Sequence, residues 1–152
     1  MGPNRKAFLY SWLPALAGMA VLFYTSSLPG NEIQLPPFPY SDKVVHFAAY
    51  TALGALIAWR KRLRLRFAGK VSSGGVAGHP AESTFAVTGT GFLDFRGMVV
   101  GMLYGVGDEV HQIFVPMRMY DYSDMAADSL GVMAGIWLLG KWTGASAGKA
   151  DG

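Results

Sequence analysis

Two polar motifs interrupt apolar segments of the chain and carry side chains that can do chemistry. The stretch DKVVHFAAY, residues 42–50, contains His46, and GVGDEVHQIF, residues 105–114, contains Asp108, Glu109, His111 and Gln112. A histidine held by a buried acid can act as a general acid or base, because the acid sets the tautomer and the pKa of the ring. His46 and Glu109 are therefore candidates for proton exchange. Equally open is a structural role, in which His46 only hydrogen-bonds a neighbouring helix.

Helical spacing places these groups on three polar stripes, because residues three or four positions apart share one face of a helix. The stripes are Asp42, His46, Tyr50 and Gly54; Gly97, Gly101, Gly105 and Glu109; and Asp124, Asp128, Gly131 and Gly135. Small residues at this spacing let helix backbones approach closely, which would bring the polar ends together. With a rise of about 1.5 Å per residue, His46, Glu109 and Asp128 should share one depth, on the order of 6–9 Å below the outer helix ends.

Four long apolar runs carry the stripes. The chain has 152 residues, of which 51% are hydrophobic and 15% charged. Its apolar runs cover residues 7–24, 44–59, 97–115 and 125–142. Each approaches the roughly 20 residues that cross a hydrocarbon core of about 30 Å. The first run is long for a signal peptide and three more follow, so a retained helix is favoured. We predict an all-α polytopic membrane protein, a bundle of four transmembrane helices.

Basic residues orient the predicted spans. Arg5 and Lys6 precede the first run, six basic residues within 60–70 follow the second, and Lys141 and Lys149 lie at the end of the fourth. The positive-inside rule makes this shared side cytoplasmic, so both termini should be inside. A net charge of +3 would suggest an acidic partner for a soluble protein, but beside a span the basic cluster attracts lipid headgroups. We predict membrane lipids as partners, no nucleic acid, and a location in a membrane.

The remaining chain is assigned to connections. Residues 1–142 form the predicted membrane domain, with a cytoplasmic linker insert at about 61–95. The middle of the linker is rich in Gly and Ser, which predicts flexibility, and its His79 is interpreted as a loop histidine. The apolar stretch FAVTGTGFL in the linker is too short to span. Residues 143–152 are predicted to be a disordered tail, and the absence of cysteine excludes disulfides.

Four motifs, in this order, resemble the VanZ-like membrane proteins: SSLPG at 26–30, DKVVHFAAYTALG at 42–54, GDEVHQIFVPMR at 107–118 and SDMAADSLG at 123–131. The resemblance implies a small four-helix membrane domain of the cell envelope, located in the bacterial cytoplasmic membrane. The family takes its name from an antibiotic-resistance protein associated with reduced teicoplanin sensitivity, and the resemblance implies no settled reaction. The motif positions carried over are Asp42, Lys43, His46, Tyr50, Asp108, Glu109, Gln112, Pro116, Arg118, Asp124 and Gly131.

Two positions depart from the family pattern. Met117 stands where a glycine is common, and Asp128 stands where an asparagine is common. The acid at 128 adds a potential negative charge to the pocket. That charge would favour either a bound cation or a protonated carboxyl group.

Several of these residues have a structural interpretation beside the functional one. Asp42 suits the N-cap of the second helix, and we prefer that role. Asp108 and Glu109 point about 100° apart, so Glu109 is the preferred pocket acid and Asp108 is expected to reach a neighbouring helix. Gln112 is expected to satisfy a buried polar partner, and His111 to lie at the interface.

The candidate catalytic residues are His46, Glu109 and Asp108. The candidate substrate-binding residues are Arg118, Lys43, Tyr50, Gln112, Asp124 and Asp128. Arg118 suits a phosphate or carboxylate, and a salt bridge to Asp121 or Asp124 is the structural alternative. A divalent cation on His46, Glu109, Asp124 and Asp128 is conceivable, but no HExxH motif is present, so no metal site and no cofactor are assigned.

Two functions from different classes remain open. In the first, an outward-facing polar pocket binds or modifies an anionic cell-envelope substrate, such as a lipid headgroup, a lipid-linked glycan or a peptidoglycan fragment. In the second, the polar cluster locks helix packing or docks a partner protein in a non-catalytic membrane module. A proton-coupled carrier is a weaker third hypothesis, because four helices without inverted repeats make a poor transporter. The sequence leaves open whether the chain is an enzyme and how it oligomerises.

Overall fold

Four long helices make up the fold. The computed structural model describes residues 3–72 and 94–147. The helices are α1 (Pro3–Ser26), α2 (Ser41–Ser72), α3 (Phe95–Gln112) and α4 (Tyr122–Ala147), and a 3₁₀ turn covers Gly30–Glu32. No strand occurs in these two ranges. The predicted all-α class and the four helices are confirmed.

The second and fourth helices extend into segments that we predicted to be a linker and a disordered tail. α2 continues without a break to Ser72, so the first twelve positions of the predicted linker, 61–72, are helical. The sequence there is rich in Arg, Lys and Leu, which are good helix formers. Arg60, at the start of this extension, pairs with Asp94 and lies over the Trp12 ring. α4 likewise runs to Ala147, which makes residues 143–147 of the predicted tail helical. His79 and the stretch FAVTGTGFL lie outside the described residues.

Glycines let α2 and α4 approach closely, as their spacing predicts. A Cβ at Gly135 would overlap the Thr51 carbonyl oxygen and lie 2.7 Å from the Ala55 amide nitrogen. A Cβ at Gly131 would lie 3.0 Å from the Thr51 amide nitrogen. Only a residue without a side chain fits this crossing. The core formed around it contains Ala15, Tyr50, Leu53, Ile57, Val132 and Ile136.

Membrane-spanning character is uneven among the helices. Among the described helices, α1 alone is long and apolar enough by composition to cross a membrane, over Phe8–Ser26. α2 and α3 carry basic or acidic residues within their lengths, including Arg60, Asp108 and Glu109. Crossing by the other three helices, and the side on which the termini lie, therefore stay predictions.

Candidate functional site

A cavity of about 640 Å³ lies where α1 ends, α2 begins and α3 ends. Part of its lining is apolar, including Leu22, Leu28, Ile33, Leu35, Val45 and Met119. The polar part includes His46, Tyr50, Asp108, Gln112, Arg118 and Asp124. The cavity therefore offers an amphiphilic molecule both an apolar surface and a set of hydrogen-bonding groups.

One histidine and two acids meet behind this cavity. His46 Nδ1 lies 2.9 Å from Asp128 Oδ1 and 3.7 Å from Glu109 Oε1. Glu109 is 0% exposed and Asp128 is 1% exposed. Their convergence at one level, predicted from helical spacing, is confirmed. We call His46, Glu109 and Asp128 the inner cluster.

The glycine stripe of α3 makes room for the inner cluster. A Cβ at Gly105 would lie 3.1 Å from Asp128 Cβ and 3.2 Å from the Tyr50 ring. Because Gly105 has no side chain, α3 and α4 approach closely enough for Glu109 to reach the same point as Asp128. The close helix packing thus positions three short side chains from three different helices.

Hydrogen bonds leave part of the inner cluster unsatisfied. Glu109 Oε2 accepts a hydrogen bond from the Asp121 backbone N–H at 3.3 Å. Glu109 Oε1 and Asp128 Oδ2 are buried and have no hydrogen-bond partner within residues 3–72 and 94–147. Native proteins satisfy the large majority of buried polar atoms, so such oxygens call for a physical explanation.

A second acidic group surrounds Lys43. Its Nζ lies 2.9 Å from Asp42, 2.5 Å from Asp121 and 2.8 Å from Asp124. The hydrogen bond from Lys43 and those from Ser123 lower the pKa of Asp121 to about 2. We call Lys43 with its three acids the outer cluster.

Asp42 does not have the capping role that we preferred. α2 begins at Ser41, one residue before Asp42, which places the carboxyl group in the first turn. The Asp42 carboxylate accepts a hydrogen bond from Lys43 instead. The residue still carries a negative charge near a helix N-terminus, where the helix dipole is favourable.

Asp108 ties three helices together. Its Oδ2 accepts hydrogen bonds from Ser26 Oγ at 2.7 Å and from the Tyr50 hydroxyl at 3.0 Å. The expectation that Asp108 reaches a neighbouring helix is confirmed, and both its partners are buried. Gln112 is 2% exposed, lines the cavity and has no partner for Nε2 within the described ranges. The buried partner expected for this amide group is therefore not found there.

Arg118 and His111 both turn toward the end of α1. Arg118 Nε donates to the Leu28 carbonyl and its Nη2 donates to the Thr25 carbonyl, each at 3.5 Å. The alternative salt bridge from Arg118 to Asp121 or Asp124 is not formed, and both acids pair with Lys43. His111 packs against Phe23, with ring centroids 4.6 Å apart, and lies 3.0 Å from Ser27 Oγ.

The VanZ/LLP1 family model matches residues 8–142 of the chain. The protein belongs to the VanZ/LLP1 family. The matched range includes every residue of the inner and outer clusters. No curated protein and no solved structure matches the chain.

The turn after α3 in this VanZ/LLP1 chain has an unusual backbone. Met117 adopts φ 59°, in the left-handed region that favours glycine. The turn packs against the loop after α1, where the Gly30 N–H donates to the Pro116 carbonyl at 3.1 Å. A Cβ at Gly30 would overlap the Met117 carbonyl oxygen. The turn thereby positions Arg118 and Asp121.

Sequence reasoning gave no role to Ser26, Ser27 or Gly30, although all three lie in the SSLPG motif that carried the family resemblance. Ser26 binds Asp108, Ser27 lies beside His111, and Gly30 receives the turn after α3. The motif itself was the available signal. Its small residues allow the end of α1 to contact α3 and the loop that follows it.

Proposed function

We propose that this VanZ/LLP1 protein is a multi-pass protein of the bacterial cytoplasmic membrane, with both termini inside and the cavity facing outward. The helices support this topology because large apolar side chains are exposed on each of them. Examples are Leu13 on α1, Phe47 on α2, Leu103 on α3 and Leu138 on α4. So much exposed apolar surface on all sides of a small bundle is typical of contact with lipid.

The cavity is proposed to bind the anionic headgroup of a cell-envelope amphiphile: a lipid headgroup, a lipid-linked glycan or a peptidoglycan fragment. The supporting observation is the mixed lining, in which an apolar wall adjoins a group of buried polar side chains. Arg118 is the arginine of that lining, and its bonds to carbonyl oxygens are long, at 3.5 Å. Its guanidinium can therefore exchange these acceptors for a phosphate or carboxylate. Hydroxyl or amino groups of the ligand would donate to the acids.

His46 is the residue to which we assign proton exchange with a bound ligand. It lines the cavity, and its Nδ1 is held by Asp128 at 2.9 Å. Fixing Nδ1 orients the ring and leaves Nε2 as the nitrogen available to a ligand. Binding of an envelope precursor at this site would also account for an effect on teicoplanin sensitivity.

Native mass spectrometry of the full chain in detergent tests headgroup binding. We expect a polyprenyl phosphate or phosphatidylglycerol to remain bound and phosphatidylcholine to bind more weakly. Arg118→Ala should weaken the binding of the anionic lipids by about tenfold, since a hydrogen bond to an ionised group contributes roughly 1.5–3 kcal/mol. Arg96→Ala, an exposed arginine at the other end of α3, is the matched control. Equal loss in both variants would contradict the proposal.

A structural role is the second candidate, favoured by the bonds that Asp108 makes to Ser26 and Tyr50. Here the polar residues fix helix packing and bind no ligand. Asp108→Asn should then lower the yield of folded protein, and Arg118→Ala should lower it equally. Normal yield of Arg118→Ala together with lost lipid binding or lost teicoplanin phenotype supports the headgroup site instead.

A further inference from the structure

We propose that the inner cluster binds a divalent first-row metal cation, Mn²⁺ or Zn²⁺, through His46 Nδ1 and carboxylate oxygens of Glu109 and Asp128. The three ligand atoms come from three helices and lie within 4.8 Å of one another. The site is additional to headgroup binding, because neither Glu109 nor Asp128 lines the cavity. When bound, the ion takes the place of the hydrogen bond between His46 Nδ1 and Asp128, and Nε2 stays the nitrogen available to a headgroup.

Charge balance is the first reason. Two carboxylates that are at most 1% exposed carry a charge of about −2 when ionised, and one histidine can supply at most a single positive charge. Lys43, a permanent cation on the same helix as His46, is bound by the acids of the outer cluster. A divalent cation with a neutral imidazole ligand balances the two carboxylates completely.

The unsatisfied oxygens are the second and independent reason. Glu109 Oε1 and Asp128 Oδ2 are buried without a hydrogen-bond partner in residues 3–72 and 94–147. Glu109 Oε1 faces the cluster, since it lies 3.7 Å from His46 Nδ1, beyond hydrogen-bond distance. Leaving a buried polar atom unpaired costs free energy, and a metal bond satisfies such an oxygen without requiring a proton donor.

The spacing of the ligand atoms fits coordination by one ion. Bonds of about 2.0–2.2 Å at angles near 90–110° put neighbouring ligand atoms roughly 3.0–3.5 Å apart. The two recorded separations, 2.9 Å and 3.7 Å, lie close to either side of that range. A small movement of the Glu109 side chain would equalise them.

The mixed donor set selects the kind of cation. One imidazole and two carboxylates suit Mn²⁺ or Zn²⁺ better than Ca²⁺ or Mg²⁺, which prefer oxygen ligands alone. His46 lines the cavity, so an ion has a path to the cluster from that side. Any remaining coordination positions would be taken by water.

Titration of the full, detergent-purified chain with Mn²⁺ after chelator treatment tests the proposal. Electron paramagnetic resonance should count about one bound Mn²⁺ per chain, and its pulsed form should detect coupling to a single imidazole ¹⁴N. Zn²⁺ should displace the Mn²⁺. Asp128→Asn and Glu109→Gln keep the side-chain size and should each weaken Mn²⁺ binding by at least roughly tenfold.

The matched control is Asp42→Asn, which removes an acid of the outer cluster that does not contact the inner cluster and should leave Mn²⁺ affinity within about twofold. Absence of stoichiometric Mn²⁺ and Zn²⁺ binding would overturn the proposal. Unchanged affinity in both inner-cluster variants would do the same, and so would an equal loss in Asp42→Asn. The ¹⁴N signal is measured on the unmodified chain, so it tests for an imidazole ligand even where a variant does not fold, and its absence would overturn the proposal.

Discussion

The two acidic clusters at the same end of the bundle neutralise their charge by different means. The outer cluster gathers three aspartates around Lys43, which lies within 3 Å of each. The inner cluster gathers two acids around His46, and two of its carboxylate oxygens have no hydrogen-bond partner in the described ranges. Asp124 Oδ1 of the outer cluster has no hydrogen-bond partner there either, but it lies 2.8 Å from the charged Lys43 Nζ. One cluster contains its own cation, and the other does not.

Side-chain length explains why the difference matters. Lys43 reaches its acids through a flexible four-carbon chain, so it can follow small movements of the helices and loops around it. The side chains of the inner cluster cannot adjust in this way, because Glu109 and Asp128 are buried. They meet His46 only because glycines bring their helices together. We infer that the outer cluster stabilises the fold, whereas the inner cluster is held in position for a partner from outside the chain.

Widening the α2–α4 crossing should affect the inner cluster most. In Gly135→Ala, the added Cβ overlaps the Thr51 carbonyl oxygen, so the two helices must separate. We expect a loss of about 3 kcal/mol in the free energy of unfolding, typical of severe overpacking. Mn²⁺ binding should be lost in this variant, because His46 and Asp128 lie on the separated helices. Thermal unfolding in detergent, with and without Mn²⁺, measures both effects.

The same substitution at Gly107 is the control for Gly135→Ala. A Cβ at Gly107 has nothing within 4 Å, and alanine is the better helix former by roughly 1 kcal/mol. Gly107→Ala should therefore unfold at the same or a higher temperature than the unmodified chain. If Gly135→Ala behaved like Gly107→Ala, the close crossing would not be what holds the inner cluster together.

Removing the built-in cation should destabilise the outer cluster. Lys43→Met leaves Asp124, which is 7% exposed, without its partner. We expect a loss of about 2 kcal/mol, below the 3–5 kcal/mol seen for fully buried pairs, because Lys43 itself is 21% exposed. Chemical denaturation in mixed micelles measures this change. Adding Asp124→Asn to Lys43→Met should recover part of the loss, and a further loss in the double variant would argue against charge as its cause.

Removing the backbone strain at Met117, in the turn before Asp121, should raise the stability by a smaller amount. Met117 has φ 59°, which costs a non-glycine residue roughly 1 kcal/mol. Met117→Gly should therefore raise the unfolding temperature, with a gain of up to about 1 kcal/mol after the entropy cost of glycine. Met119→Gly is the control, because Met119 lies in the same loop without a positive φ and should lose stability. Comparison of the two unfolding temperatures shows whether glycine at position 117 raises or lowers the stability.

Helical periodicity made much of the candidate site predictable. His46, Glu109 and Asp128 could be brought together from the sequence because spacing of three or four residues fixes a helix face. Glycine on the same faces indicated which helices approach closely. The observed distances of 2.9 Å and 3.7 Å follow from those two rules.

The ends of helices and the paths of loops were not predictable in the same way. The position of Arg118 depends on the turn at Met117. A methionine in the sequence does not indicate a left-handed backbone, so this turn could not be predicted. The outer cluster depends on the same loop, because Asp121 reaches Lys43 only after the chain has turned back. For the cap, a shift of two residues in the start of α2 was enough to make the assignment of Asp42 wrong.

The smallest expected difference between the two clusters is in how salt changes their contribution to stability. The low pKa of Asp121, about 2, keeps this acid ionised at neutral pH, so screening and not protonation weakens its bond to Lys43. The side chains of Asp121 and Asp42 are 41% and 42% exposed, so salt can screen their bonds to Lys43. We expect 1 M NaCl to reduce the difference in stability between the unmodified chain and Lys43→Met by roughly 0.5 kcal/mol. The difference between the unmodified chain and Asp128→Asn should not respond to NaCl, because both acids of the inner cluster are buried. A response of equal size in the two comparisons would mean that water and ions reach both clusters alike, and the contrast between a self-neutralised cluster and an enclosed one would be lost.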